Sequence, residues 1–161
     1  MSPCPALRRL APSSFHRLAA VLLLFLSSRS GFAQYSVSEV QPLAFGILTQ
    51  GVTEIVPYTD TFRRGVVNVD GAGQVYIRVV LPAALTSALG AAIPLQFLNG
   101  DVAATESGRP PAAFDPLGST RVNLGKGTAS LLMGGRAMPA ANQRAGLYSA
   151  TMTIIVSSTK F

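Results

Sequence analysis

The stretch near the end of the chain constrains the fold most. From Tyr148 to Val156 the residues alternate. Tyr148, Ala150, Met152, Ile154 and Val156 fall on one face, and Ser149, Thr151, Thr153 and Ser157 fall mostly on the other. A period of two marks a half-buried β-strand. No long amphipathic helix is legible anywhere. Instead, short apolar-rich runs alternate with Gly, Pro, Asn and Asp clusters at intervals suited to a β-sandwich of about eight strands.

The individual strands follow from the same patterning. Residues 35–40 predict a first strand and Leu43-Ala44-Phe45-Gly46-Ile47-Leu48 a second, with Pro42 as a bend between them and Gly46 as a bulge. Residues 62–69 and 74–81 flank Asp70-Gly71-Ala72-Gly73, whose glycines suit a tight hairpin. In its second arm Val75, Ile77, Val79 and Leu81 share the core face. Residues 83–92 predict a short connector with a helical turn, kept short by Gly90, Pro82 and Pro94. Residues 93–98 and 128–133 predict two further strands, the second followed by a Gly134-Gly135 bulge beside Arg136.

Between residues 99 and 127 the strand pattern stops, and turn chemistry recurs at Asn99-Gly100-Asp101, Ser107-Gly108-Arg109-Pro110-Pro111, Asp115-Pro116-Leu117-Gly118 and Gly125-Lys126-Gly127. This predicts a long irregular loop, either a binding surface or a mobile excursion, tucked back by Phe114 and Val122.

The N-terminus reads as a leader. Arg8, Arg9 and Arg17 precede the nine-residue apolar run 18–26, and Gly31-Phe32-Ala33 carries small residues at the two positions a signal peptidase reads. A spanning helix needs roughly 17 to 25 apolar residues, so residues 1–33 are expected to be a Sec-type signal peptide cut after Ala33 rather than an anchor. Arg8-Arg9 suggests the twin-arginine route, but Leu10-Ala11-Pro12 and further residues separate them from the apolar run. Residues 34–161 then form a single domain, exported to the periplasm, the cell surface or the medium, with no membrane span after cleavage.

Loss of the leader changes the charge. Four of the thirteen basic residues lie within it and none of the seven acidic ones, so a formal charge of +6 falls to +2. No basic face interleaved with aromatics remains, which argues against a nucleic-acid partner. Cys4 and His16 are the only cysteine and histidine, and both precede residue 34. Disulfides, thiol nucleophiles, Cys/His metal sites and every Ser-His-Asp or Cys-His mechanism are thereby removed from residues 34–161.

What chemistry remains rests on weak signals. Gly125-Lys126-Gly127-Thr128 departs from a phosphate loop twice, because Thr120 stands where the first glycine belongs and Gly127 follows the lysine. The seven carboxylates are not spaced as an acid/base pair, and Asp60, Asp70, Asp101 and Asp115 sit beside turn formers, where an aspartate bonds its own backbone. Asp101, Glu106 and Asp115 share the long loop and are candidate interaction residues, with calcium as one ligand that oxygen donors would order. Arg63, Arg64 and Arg78 read as solvated charges that blunt a sheet face. Tyr35, Tyr58, Tyr76 and Tyr148 would be the platform for a sugar, but the chain has no Trp. Neither a catalytic residue nor a cofactor is expected.

Four segments together resemble a known family. Leu43-Ala44-Phe45-Gly46, the strand closing in Leu81-Pro82, Leu132-Met133-Gly134-Gly135 and the run Pro139-Ala140-Ala141-Asn142-Gln143-Arg144-Ala145-Gly146-Leu147-Tyr148-Ser149-Ala150 are similar to the bacterial secreted family DUF4402. The alanine-glycine-x-tyrosine ending and a strand running to an aromatic, Phe161, also resemble spore coat U domains and chaperone-usher pilins. The resemblance implies an immunoglobulin-like (pilin- or adhesin-like) sandwich and a non-catalytic envelope protein, a surface or fimbria-like structural or adhesive subunit. It also implies a partner, either a second copy or another envelope protein, reached by strand addition. The arm 34–41, with Tyr35 and Val37 as alternate side chains, would supply the strand. The alternative is a monomeric periplasmic or extracellular domain that recognises a glycan, a metal ion or a protein through loop 99–127.

Overall fold

The computed structural model describes residues 35–106 and 108–161, with only the backbone of Lys126. The expected signal peptide, residues 1–33, lies outside the described residues. Eleven strands follow in chain order: β1 (Ser36–Gln41), β2 (Glu54–Val56), β3 (Gly65–Val80), β4 (Ala84–Ser87), β5 (Ala92–Gln96), β6 (Val102–Thr105), β7 (Ala112–Phe114), β8 (Ser119–Met133), β9 (Gly135–Ala137), β10 (Tyr148–Ser149) and β11 (Thr153–Ser157). They form two antiparallel sheets, a β-sandwich. One runs β1-β3-β8-β6-β7 with β11 also on β3, and the other runs β10-β4-β5-β9-β2. Among the described residues no helix is long and apolar enough to cross a membrane.

The frame is the ribbon of β3 and β8, paired from Gly65↔Met133 to Arg78↔Ser119. A straight strand would hold Val67 and Val79 roughly 40 Å apart. Yet Val67 lines the same crevice as Ile154, the ladder partner of Val79, so the ribbon bends back over itself. The bend lies where glycines face each other, at Gly71↔Gly127 and Gly73↔Gly125. There the register skips Leu124, an extra residue on β8. That bulge explains a change of parity: Val122 and Leu124 are buried before it, and Ala129, Leu131 and Met133 after it. Both halves thus turn their apolar face into one cluster with Val69, Val75, Ile77 and Val102.

Five sequence expectations are corrected. Residues 62–81 are not a hairpin, because β3 runs unbroken through Asp70-Gly71-Ala72-Gly73. Gly71 lies at φ 155 and Gly73 at φ 83, and among the described residues none other than glycine has a positive φ, so the paired positive φ values of a type I′ turn are absent here. Residues 43–48 form no strand. The connector 83–92 is largely a hairpin of β4 and β5, closed where the Gly90 and Ala91 amides donate to the Ser87 carbonyl (3.0 Å) and Oγ (3.1 Å).

The stretch 99–127 is not one irregular loop, since it contains β6, β7 and the first nine residues of β8. The turns at 99–101 and 115–118 lie as read, but Gly125-Lys126-Gly127 is part of β8 rather than a turn. Alanine, which favours strands little, makes up half of β6 and two-thirds of β7 and hides both. The final strand is also split. Tyr148 and Ser149 pair with β4 in one sheet, and residues 153–157 pair with β3 in the other, so the chain changes sheets at residues 150–152.

Candidate functional site

An apolar groove of about 850 Å³ lies between residues 42–50 and residues 143–150. Phe45, Leu85, Ile93 and Tyr148 line it and belong to the second, smaller core cluster. Ile47 and Leu147 stand on its two walls, 98% and 95% exposed. Large apolar side chains so fully exposed along one groove are a recognised mark of an interaction site.

The walls are held at their ends and free between. The Ala44 amide donates to the Arg63 carbonyl (2.8 Å), the Gly51 amide to the Ala140 carbonyl (3.1 Å) and Gln50 Nε2 to the Gln143 carbonyl (2.6 Å). Between these points the amides of residues 45–48 make no backbone hydrogen bond to another described residue. On the facing wall Tyr148 Oη donates to the Arg144 carbonyl (2.6 Å) and accepts from Gln143 Nε2 (2.7 Å). This is the form of a tyrosine corner. The amides of residues 145–147 are likewise without a backbone partner among the described residues. Two walls with unpaired donors and acceptors over an apolar floor have the chemistry of a sheet lacking one strand.

A smaller crevice of about 240 Å³ continues the groove, sharing Pro42, Leu43 and Ala150 with it and reaching Glu39, Val67 and Met152. Here the N-terminal arm begins. As β1 it lies antiparallel on β3, from Ser36↔Asp70 to Gln41↔Val66. Tyr35 packs on the main cluster, against Gly71. Val37, 46% exposed, follows Tyr35 on the same face, and Val40, 60% exposed, is the residue at which the register shifts. At the root, Gln41 Nε2 donates to the carbonyls of Phe62 and Arg64, both at 2.9 Å.

The loop carboxylates do not converge. Asp101 Oδ2 accepts the Leu98 amide (2.7 Å) and lies 3.9 Å from Arg136 Nε. Glu106 accepts from the Asn123 amide (2.8 Å) and from Arg109 Nη1 (2.6 Å). Asp115 accepts the Leu117 amide (3.0 Å). Asp101 and Asp115 each shape their own turn while Glu106 reaches across to β8, and no group of three or more potential ligands is found among the described residues. The best-built ionic cluster is elsewhere: Arg63 bridges Asp60 (2.9 Å) and Glu54 (2.5 Å). The Arg63 hydrogen bond, then the Phe62 amide, hold the Asp60 carboxyl below its ordinary range, and the hydrogen bonds to Asp60 and then to Glu54 raise the Arg63 guanidinium.

Of the sequence candidates, Tyr35 and Val37 share one face of the arm at the end away from the groove, while Asp101, Glu106 and Asp115 are dispersed. Reading residues 43–48 as a strand missed Phe45 and Ile47 as groove lining. The available signal was Gly46, at φ 73, which interrupts the apolar run. Comparisons with family models, curated proteins and solved structures find no match for this chain.

Proposed function

We propose that the chain is a non-catalytic, exported envelope protein, a surface or fimbria-like subunit that joins copies of itself by strand addition. The observation that carries this reading is the groove: two walls without a strand between them, located at the root of an arm whose side chains are mostly exposed. The arm runs directly into residues 42–50, which form one wall, so reaching its own groove would require a reverse turn at a root clamped by Gln41. A second copy has no such restriction. Its arm would enter with main-chain hydrogen bonds giving affinity and Tyr35 and Val37 giving register.

The resemblance to DUF4402 and to pilins, together with the leader-like N-terminus, supports export and a place in the periplasm or at the cell surface. Recognition through 99–127 fits less well, because Asp101 and Asp115 are engaged in their own turns and Glu106 on the Asn123 amide of β8. Light scattering after size exclusion tests the reading on residues 34–161 and 43–161. The longer form is expected to assemble with rising concentration and the shorter to remain monomeric. Monomers from both would contradict self-association.

A further inference from the structure

The same arm is fastened to its own subunit, and the manner of fastening carries a consequence for assembly. Gly71 adjoins Asp70, the ladder partner of Ser36, and its missing side chain makes the seat for the Tyr35 ring: a Cβ there would lie 2.7 Å from Tyr35 Cδ1. Leu124 closes the seat from the other side, with Cδ1 3.3 Å from that same point. At the opposite end the Gln41 amide clamps the 62–64 carbonyls. Between the two anchors Ser36, Val37, Ser38, Glu39 and Val40 are all exposed, so little apolar burial holds the middle of the arm. Segments with few buried contacts and one open edge are the first to detach locally.

The β3 edge is divided in a way that lets the arm leave alone. β1 covers residues 66–70 and β11 covers 76–80, with no ladder partner for 71–75 on that side among the described residues. Detachment of β1 would disturb neither β11 nor the β3–β8 ribbon. Docked, the arm withholds its own strand from other copies and also covers a β3 edge open to pairing.

We infer that the β1 arm is an autoinhibitory latch: Tyr35 seated on Gly71 parks the arm on its own β3, and release of that seat sets the rate at which copies join. The inference rests on the reading that the groove accepts the arm of a second copy.

Ser38 faces Asn68 in the ladder, and residues 34–161 contain no cysteine, so Ser38→Cys with Asn68→Cys gives a lock that is closed by oxidation and opened by reduction. Assembly of residues 34–161 would be followed by light scattering over time. The reduced pair should assemble as the parent does, and the oxidised pair should remain monomeric. Gly71→Ala, which displaces the ring without altering the arm, should speed assembly about tenfold, equivalent to about 1.4 kcal/mol of lost docking. Gln41→Ala provides a second release should Gly71→Ala fold poorly.

Oxidised protein that assembles at the parent rate would overturn the latch while leaving self-association intact. So would parent-like rates in both release variants. If the parent, the reduced pair and both release variants all remain monomeric at every concentration, strand addition between copies fails, and the latch with it.

Discussion

The β3–β8 ribbon and the groove treat the same kind of residue in opposite ways. In the ribbon every apolar side chain that alternates inward from Val67 to Val79 meets a partner, and Val69, Val75, Ile77 and Leu131 are fully buried. In the groove Ile47 and Leu147 belong to equally apolar runs and stand in solvent. Hydrophobicity does not separate the two regions. The difference is whether a neighbouring strand completes the ladder, since a wall whose donors and acceptors lack partners cannot be closed over by side chains alone.

The strongest way to break the comparison is to damage the closed side. Leu131→Ala should cost about 2–5 kcal/mol, and calorimetry should show a Tm lower by roughly 10–20 °C. A smaller loss would mean that the ribbon core repacks readily. Tyr148→Phe removes the hydroxyl that joins Arg144 and Gln143 on the groove wall. Denaturant unfolding should register a loss of about 0.5–1.5 kcal/mol, well below that in the ribbon.

Acid provides a smaller contrast. Arg63 holds the Asp60 carboxyl below its ordinary value of 3.8, so its contribution is present above that value and lost as pH falls through the lowered one. Asp60→Asn should lower the melting temperature slightly at neutral pH and converge with the parent in acid, so that this acid limb of the profile flattens.

The smallest change in stability is expected at the rim. Ile47→Ser and Leu147→Ser should alter unfolding by no more than about 0.5 kcal/mol, yet light scattering should show weakened assembly. A large loss of stability would instead mean that these side chains already pack within the subunit.

Much of the closed side was legible in the sequence. Alternation at Val75, Ile77 and Val79 and from Met152 to Val156 identifies inward faces correctly, because a period of two survives whichever strand pairs with it. What alternation does not encode is the partner. Asp70-Gly71-Ala72-Gly73 has the composition of a turn, but the facing glycines of β8 make it a bend in a continuous strand. The alanines of β6 are buried between β7 and β8, a position assigned by tertiary pairing rather than by propensity. The groove was least legible of all. Leu43-Ala44-Phe45-Gly46-Ile47-Leu48 reads like a strand with a bulge, and apart from Gly46 only the absence of a neighbour distinguishes it.

The most direct measurement is amide hydrogen exchange at residues 45–48 and 145–147 in a chain beginning at Leu43, alone and with a synthetic peptide of residues 34–42. The account predicts fast exchange from the bare walls and slowed exchange at both when the peptide is added. Walls already protected without the peptide, or unchanged at saturating peptide, would contradict an open groove that takes the arm of another copy.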